Sequence, residues 1–180
     1  LEEVRRAADL RDDRLHEIYA QQKDMMSFFG ALFDGSGGRY GRTLEFIDAV
    51  LRYCVTVEMR FKFEFGRPRP AELAPEVMPI IETPGHGSYP SGHAVESTAI
   101  AHVLDAFSAM AGRPGIGRMA YRLRDRIAFN RVVAGVHYIS DNDGGFDIGT
   151  RLATEALAKA TAGTETPLQL LYLEAVKEWT

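Results

Sequence analysis

Apolar residues recur at three- and four-residue steps along most of this chain, and no run alternates polar and apolar long enough for a strand. From Glu2 to about Phe33, Val4, Ala8, Leu15, Ile18, Tyr19, Met25, Met26 and Phe29 keep helical spacing among charges and predict a first helix over 2–33. Arg5, Arg6, Asp9, Arg11, Asp12, Asp13 and Arg14 form its solvated face, with His16 on the surface. Asp34-Gly35-Ser36-Gly37-Gly38 breaks the pattern as a connection between helices. A second helix starts near Thr43, its predicted N-cap, and runs to about Phe65 through Leu44, Ile47, Leu51, Cys54 or Val55, and Glu58. That phase puts Lys62 on the face of Leu51 and Val55. Gly66-Arg67-Pro68-Arg69-Pro70 stops the helix, because proline cannot continue it and restricts the residue before it. After a long Pro-containing connection from Ala71 to Pro84, further helices are predicted from Ala94 to Met110, Arg118 to Val133, Ser140 to Ala160 and Pro167 to Trp179, with Gly135 interrupting. The expectation is an all-α, single-domain helical bundle of about six helices over residues 1–180, with a C-terminal helix at 167–179.

Composition narrows the picture. The chain has 180 residues, enough to bury a core, and 46% hydrophobic with 26% charged residues is the balance of a globular protein. A net charge of -4 argues against a nucleic-acid partner. Gly66-Arg67-Pro68-Arg69-Pro70 resembles short Gly-Arg-Pro segments that enter A·T-rich minor grooves, but it occurs once in an acidic chain, so no nucleic acid is expected. Cys54 is the only cysteine, which excludes an intrachain disulfide and a cysteine-based zinc site. The most apolar window, 94–111, contains Glu96, His102 and Asp105, so no membrane span and a soluble protein are expected. The sequence begins at Leu1 rather than Met, which leaves open a cytoplasmic protein or one made periplasmic or secreted by removal of a leader. Met25, Met26, Phe28 and Phe29 are read as core rather than as a subunit contact, with a homo-oligomer left possible.

Three separated pieces carry candidate chemistry. The first is Lys62, followed after six residues by Arg69-Pro70. The second is Pro90-Ser91-Gly92-His93, a loop emptying into a helix whose first N–H groups and dipole favour an anion. The third is Arg131, then five residues, His137, then three, Asp141. Each has an ordinary explanation: surface charges, a loop cap, a packed histidine, a helix cap. Together they supply what transfer of a tetrahedral oxyanion requires. Cations and backbone N–H groups neutralise the oxygens, an imidazole oriented by a carboxylate attacks, and a second histidine handles the leaving-group proton. His102 follows His93 by nine positions, about 180° around a helix, and is excluded from that site.

These pieces resemble the three-part signature of type 2 phosphatidic acid phosphatases, bacterial non-specific acid phosphatases and vanadium-dependent haloperoxidases: Lys-x6-Arg-Pro, Pro-Ser-Gly-His and Ser-Arg-x5-His-x3-Asp. The resemblance runs from Lys62 to Asp141, within a motif-bearing core of about 43–160, and implies the helical fold of that superfamily. It implies that Lys62, Arg69, Ser91, the Gly92 N–H and Arg131 bind phosphate or vanadate, that His137 is the nucleophile, that Asp141 orients it and that His93 is the acid–base. Asn130 stands where the signature has serine, and Arg67-Pro68 is a competing Arg-Pro two residues early. Two activities share such a site. The preferred one is a soluble phosphatase cleaving small phosphomonoesters through phosphohistidine, without a cofactor. The alternative is a haloperoxidase using halide and hydrogen peroxide, with vanadate as cofactor, vanadium on His137 and His86 in a halide or substrate pocket. The phosphatase is preferred because such haloperoxidases are much longer and Trp179 lies far from the motifs. A membrane-lipid phosphatase is disfavoured by the missing spans.

Overall fold

The computed structural model describes residues 1–35, 38–163 and 165–180. Among them the chain forms α1 (Glu2–Ala7), α2 (Arg11–Lys23), α3 (Met26–Gly30), α4 (Gly41–Phe65), α5 (Pro70–Leu73), α6 (Gly92–Met110), α7 (Gly115–Val133), α8 (Ile139–Thr161) and α9 (Pro167–Lys177), with no strand. The six helices of eleven residues or more make the all-α bundle that the periodicity predicts. Helix α6 is its axis. Its Ala94, Val95, Ala99, Ile100, Ala101, Val103, Leu104 and Phe107 are all buried, as expected of a helix apolar around most of its circumference. Helices α4, α7 and α8 pack around it, and α9 lies against α4 and α8.

The N-terminal segment differs from the single helix expected over 2–33. A 3₁₀ turn at Ala8–Leu10 separates α1 from α2, and Asp24 ends α2. The Asp24 carboxylate accepts the Ser27 N–H at 3.0 Å and the Ser27 hydroxyl, a local cap that competes with helix continuation and leaves no mark on hydrophobic spacing. Phe29 then enters the core, with Met25 and Met26 packed partly buried against it. Of the predicted break at Asp34–Gly38, Ser36 and Gly37 lie outside the described residues.

Two corrections concern α4. Its buried row is Phe46, Ile47, Val50, Cys54, Glu58 and Lys62, whereas Val55, about 20° from Lys62 around the helix, is 41% exposed and so does not mark the core side as expected. Thr43 is also not the N-cap; Tyr40 occupies that position. The cap comes from the far end of the chain. The Glu178 carboxylate accepts the Arg42 N–H, the Thr43 N–H and the Thr43 hydroxyl, each at 2.8 Å, while Trp179 Nε1–H donates to Thr43 Oγ1 at 2.9 Å. A carboxylate here satisfies unpaired first-turn donors and the positive end of the helix dipole together.

Helices α6 and α8 touch backbone to backbone. A Cβ at Gly145 would stand 2.6 Å from the Ala94 Cβ, and one at Gly149 would stand 2.4 Å from the Val95 carbonyl oxygen. This contact brings the N-terminal ends of both helices side by side. A second apolar cluster joins Val4, Ala7 and Ile18 to Ala74, Val77, Val132, Val133, Ala134, Val136 and Tyr138. Arg11 fastens it by donating to the carbonyls of Val133, Met78 and Val77 at 3.0, 3.0 and 2.8 Å. Among the described residues no helix is long and apolar enough to cross a membrane.

The remote cap yields a stability test. Glu178→Ala removes three hydrogen bonds from the first turn of α4 and is expected to lower stability by about 1–2 kcal/mol, read as a lower urea midpoint at unchanged slope. A midpoint equal to wild type would show that water replaces the cap without loss.

Candidate active site

Helix α7 ends at Gly135, whose φ of +84° turns the chain out of the helix and into the extended segment that carries His137. His137 therefore lies before α8, not on it, and Asp141 reaches back to it from the first turn of α8. Asp141 Oδ2 is 3.1 Å from His137 Nδ1 and accepts the Tyr138 N–H at 3.0 Å. Its Oδ1 accepts from Arg67 Nη1 at 2.7 Å, and its backbone carbonyl accepts the Ser91 N–H at 3.0 Å. Burial alone would raise the Asp141 carboxyl, but the His137 and Tyr138 hydrogen bonds and the Arg67 charge hold it below its ordinary value. An ionised carboxylate only accepts, so His137 carries its proton on Nδ1 and keeps its lone pair on Nε2. Burial pulls the His137 imidazolium down to about 4, with Arg69 and Lys62 adding to the fall and the Asp141 hydrogen bond opposing it. The ring is neutral, and hence nucleophilic, at neutral pH.

Arg69 and Lys62 bear on that ring, and Arg131 on the neighbouring His93. Arg69 is the N-cap of α5, where Glu72 Oε2 accepts its backbone N–H at 2.5 Å. Its buried guanidinium donates to the carbonyls of His86 and Val136 at 3.1 and 2.8 Å, and its Nη1 lies 3.4 Å from His137 Nε2. Lys62 is buried and donates to the Pro90 carbonyl. Arg131 is buried with Nη2 on the Ile18 carbonyl at 3.0 Å, while its Nε and Nη1 have no partner among the described residues. Ser91 Oγ is likewise buried and unpartnered, although Ser91 is the N-cap of α6. Each such donor costs roughly 1–3 kcal/mol when left unpaired, so a group of three points to a ligand that accepts from them. The missing side chain of Gly92 makes room for Glu58, whose Oε1 would lie 2.6 Å from a Cβ there.

The histidines separate by role. His93 Nε2 lies 3.3 Å from the Gln21 carbonyl, which can only accept, so Nδ1 remains for proton traffic. Burial pulls His93 down to about 3, with the positive Arg131 and the neighbouring His137 adding to the fall. His86 Nδ1 is 3.3 Å from Arg69 Nη2, and the same residue lines a cavity of about 470 Å³ with Arg67, Glu72 and Thr83. His102 instead meets the Tyr121 hydroxyl at 3.1 Å and Thr154 Oγ1 at 3.3 Å, away from this cluster, as its helical phase predicts. Asn130 does not face the cluster either. Its Nδ2 donates to Gln21 Oε1 at 2.9 Å and its Oδ1 accepts from Arg14 at 3.0 Å, so it braces α2. Three contributors escape the motif spacing: Arg67 on Asp141, Gln21 on His93, and Glu58 behind Gly92. Only Arg67 left a signal, the second Arg-Pro pair.

Arg69 beside His137 Nε2, buried Lys62 and the unpartnered donors of Arg131 and Ser91 together make an arrangement that suits an acceptor-rich tetrahedral oxyanion. Among the described residues no group of three or more His, Cys, Asp or Glu side chains could hold a metal cation. The tautomer assignment can be checked by nitrogen NMR of the imidazole. Asp141→Ala removes the acceptor on Nδ1, so the His137 proton is expected to move partly to Nε2 and the pKa to fall further. An unchanged tautomer would mean that Asp141 does not set it.

A family model described as the PAP2 superfamily matches residues 46–162. No curated protein matches the chain. Among solved structures, a transmembrane PAP2-type phosphatidylglycerolphosphate phosphatase from Bacillus subtilis shares 20% identity, with a TM-score of 0.57 over 78% of this chain and 71% of that one. That likeness is one of fold. The matched span contains Lys62, Arg69, Ser91, His93, Arg131, His137 and Asp141, and the chain belongs to the PAP2 superfamily.

Proposed function

We propose that this chain is a phosphatase that hydrolyses small phosphomonoesters through a phosphohistidine on His137. The observation that carries the reading is the set of buried, unpartnered donors, Ser91 Oγ with Arg131 Nε and Nη1, in the cluster where Arg69 stands 3.4 Å from His137 Nε2. The ester's phosphoryl oxygens take those donors together with Lys62 and Arg69, which places phosphorus in front of the Nε2 lone pair. Nε2 forms a bond to phosphorus as the ester oxygen departs, and His93 gives that oxygen its proton. The pKa of His93 is low because it is buried among cations, and a dianionic ester beside it raises that pKa toward the range of a useful acid. Asp141 stays ionised throughout and stabilises the positive charge that His137 gains. Water then attacks phosphorus, His93 takes its proton back, and the nitrogen–phosphorus bond breaks. No cofactor enters these steps.

We assign the leaving group to the cavity of about 470 Å³ beside Arg67, Thr83 and His86, because His86 joins it to Arg69. Haloperoxidation is the competing outcome, since vanadate would take the same donors.

The deciding experiment gives the protein a chromogenic phosphate ester and, separately, vanadate with bromide and hydrogen peroxide. Ester hydrolysis that orthovanadate inhibits competitively is expected, and His137→Ala should reduce it by about 10⁴-fold or more while helical circular dichroism is retained. Hydrolysis surviving in His137→Ala would overturn the nucleophile, and vanadium-dependent bromination without hydrolysis would overturn the phosphatase.

A further inference from the structure

Two carboxyl groups stand immediately behind the oxyanion cluster, and the steps above use neither. Glu58 lies one turn before Lys62 on α4, is 5% exposed, and its Oε2 has no hydrogen-bond partner among the described residues. Its other oxygen rests on the first residue of α6, at the position a Gly92 Cβ would need. Glu96 is one turn further along α6, half-buried, and repels Glu58. Cys54, buried one turn before Glu58, ends this column toward the core. Lys62, Glu58 and Glu96 thus form one buried group of a cation and two acids across the α4–α6 contact.

Such a group responds to charge beside it. Burial pushes Glu58 up, with Glu96 repulsion adding and Lys62 opposing, and it pushes Glu96 up to about 7. Burial also pulls Lys62 down, against the attraction of Glu58, Asp141 and Glu96 and with the repulsion of Arg69. The imidazoles of His86, His93 and His137 complete the titratable surroundings of Lys62. All three members therefore exchange protons in the neutral range. A dianion set beside Lys62 favours the ammonium form and disfavours carboxylates behind it, so both effects draw protons inward.

We propose that Glu58 and Glu96 are positioning residues of the oxyanion site that take up a proton when the anion enters. The proton comes from solvent, one carboxylate becomes a carboxylic acid, and no other bond changes. Lys62 then faces the anion as an ammonium ion without two buried negative charges competing for it. Departure of phosphate returns the proton to solvent, and the grip on the anion weakens as pH rises through this range. The proposal rests on the oxyanion-site reading above.

The probe is tungstate, a tetrahedral dianion that does not itself titrate near neutral pH, added to the native chain in buffered solution. Its binding is followed by tryptophan-independent calorimetry and the protein by difference infrared spectroscopy. The carbonyl band of a protonated carboxylic acid is expected to grow as tungstate binds. That growth should be lost in the Glu58→Gln, Glu96→Gln double variant, a change that a purely structural role for the pair would not produce. Tungstate binding to the native chain without the band overturns the proposal and leaves the oxyanion site standing, and this arm needs no variant to fold. A band that persists in the folded double variant also overturns it, by assigning the proton elsewhere. Absence of tungstate binding to the native chain overturns the oxyanion site itself and the proposal with it.

Discussion

Asp141 is fully buried, and a carboxylate in that position must be paired from every side or cost several kcal/mol. Its partners are His137, the Tyr138 N–H and Arg67, and its own carbonyl holds the Ser91 N–H. Those bonds reach all three separated motif segments. Arg67 comes from the Lys62–Pro70 segment, Ser91 from the Pro90–His93 loop, and His137 from the turn after Gly135. The orienting acid of the histidine is thus also the knot that ties the site together. Removing its charge would act on the position of three segments as well as on one imidazole.

That knot holds only because the helices beneath it are fixed. The glycines of α8 let its backbone settle on α6, which sets Ser91 beside Asp141. On the opposite side, α2 is braced by Asn130 through Gln21, and the carbonyl of the same Gln21 orients His93. Arg11 pins this N-terminal segment to the 77–78 connection. At the far end of α4, Glu178 caps the helix that carries Lys62. The fold can hold several buried cations because part of its stability is secured away from them, at the α6–α8 contact and at the Glu178 cap.

The charge pattern follows from the same arrangement. Lys62, Arg69 and Arg131 all have pKa values lowered by burial, and the two histidines are held neutral. A site built this way is costly by itself and gains most from an entering anion, which is the electrostatic condition for gripping a phosphoryl group.

By itself the sequence determined the helical class, because periodicity of apolar residues is a local consequence of the 3.6-residue turn. It also singled out Lys62, Arg69, Ser91, His93, Arg131, His137 and Asp141 as candidates for the chemistry, because they keep a spacing that few other constraints would impose. The exclusion of His102 followed from helix phase alone. Other features were decided only by the tertiary structure. The break at Asp24 and the true buried face of α4 depend on a side-chain cap and on which neighbour arrives, neither of which periodicity encodes. The cap of α4 lies 135 residues away from Thr43 in the chain. Spacing favoured Arg69 over Arg67, but that Arg67 sits on Asp141 was seen only in the fold, and Asn130 could be placed outside the site only by its bond to Gln21. That the missing side chain of Gly92 seats Glu58 was visible only in the fold. Spacing along a chain fixes which atoms share a helix face, but not what packs against that face, and burial, pairing and proton affinity all belong to the packing.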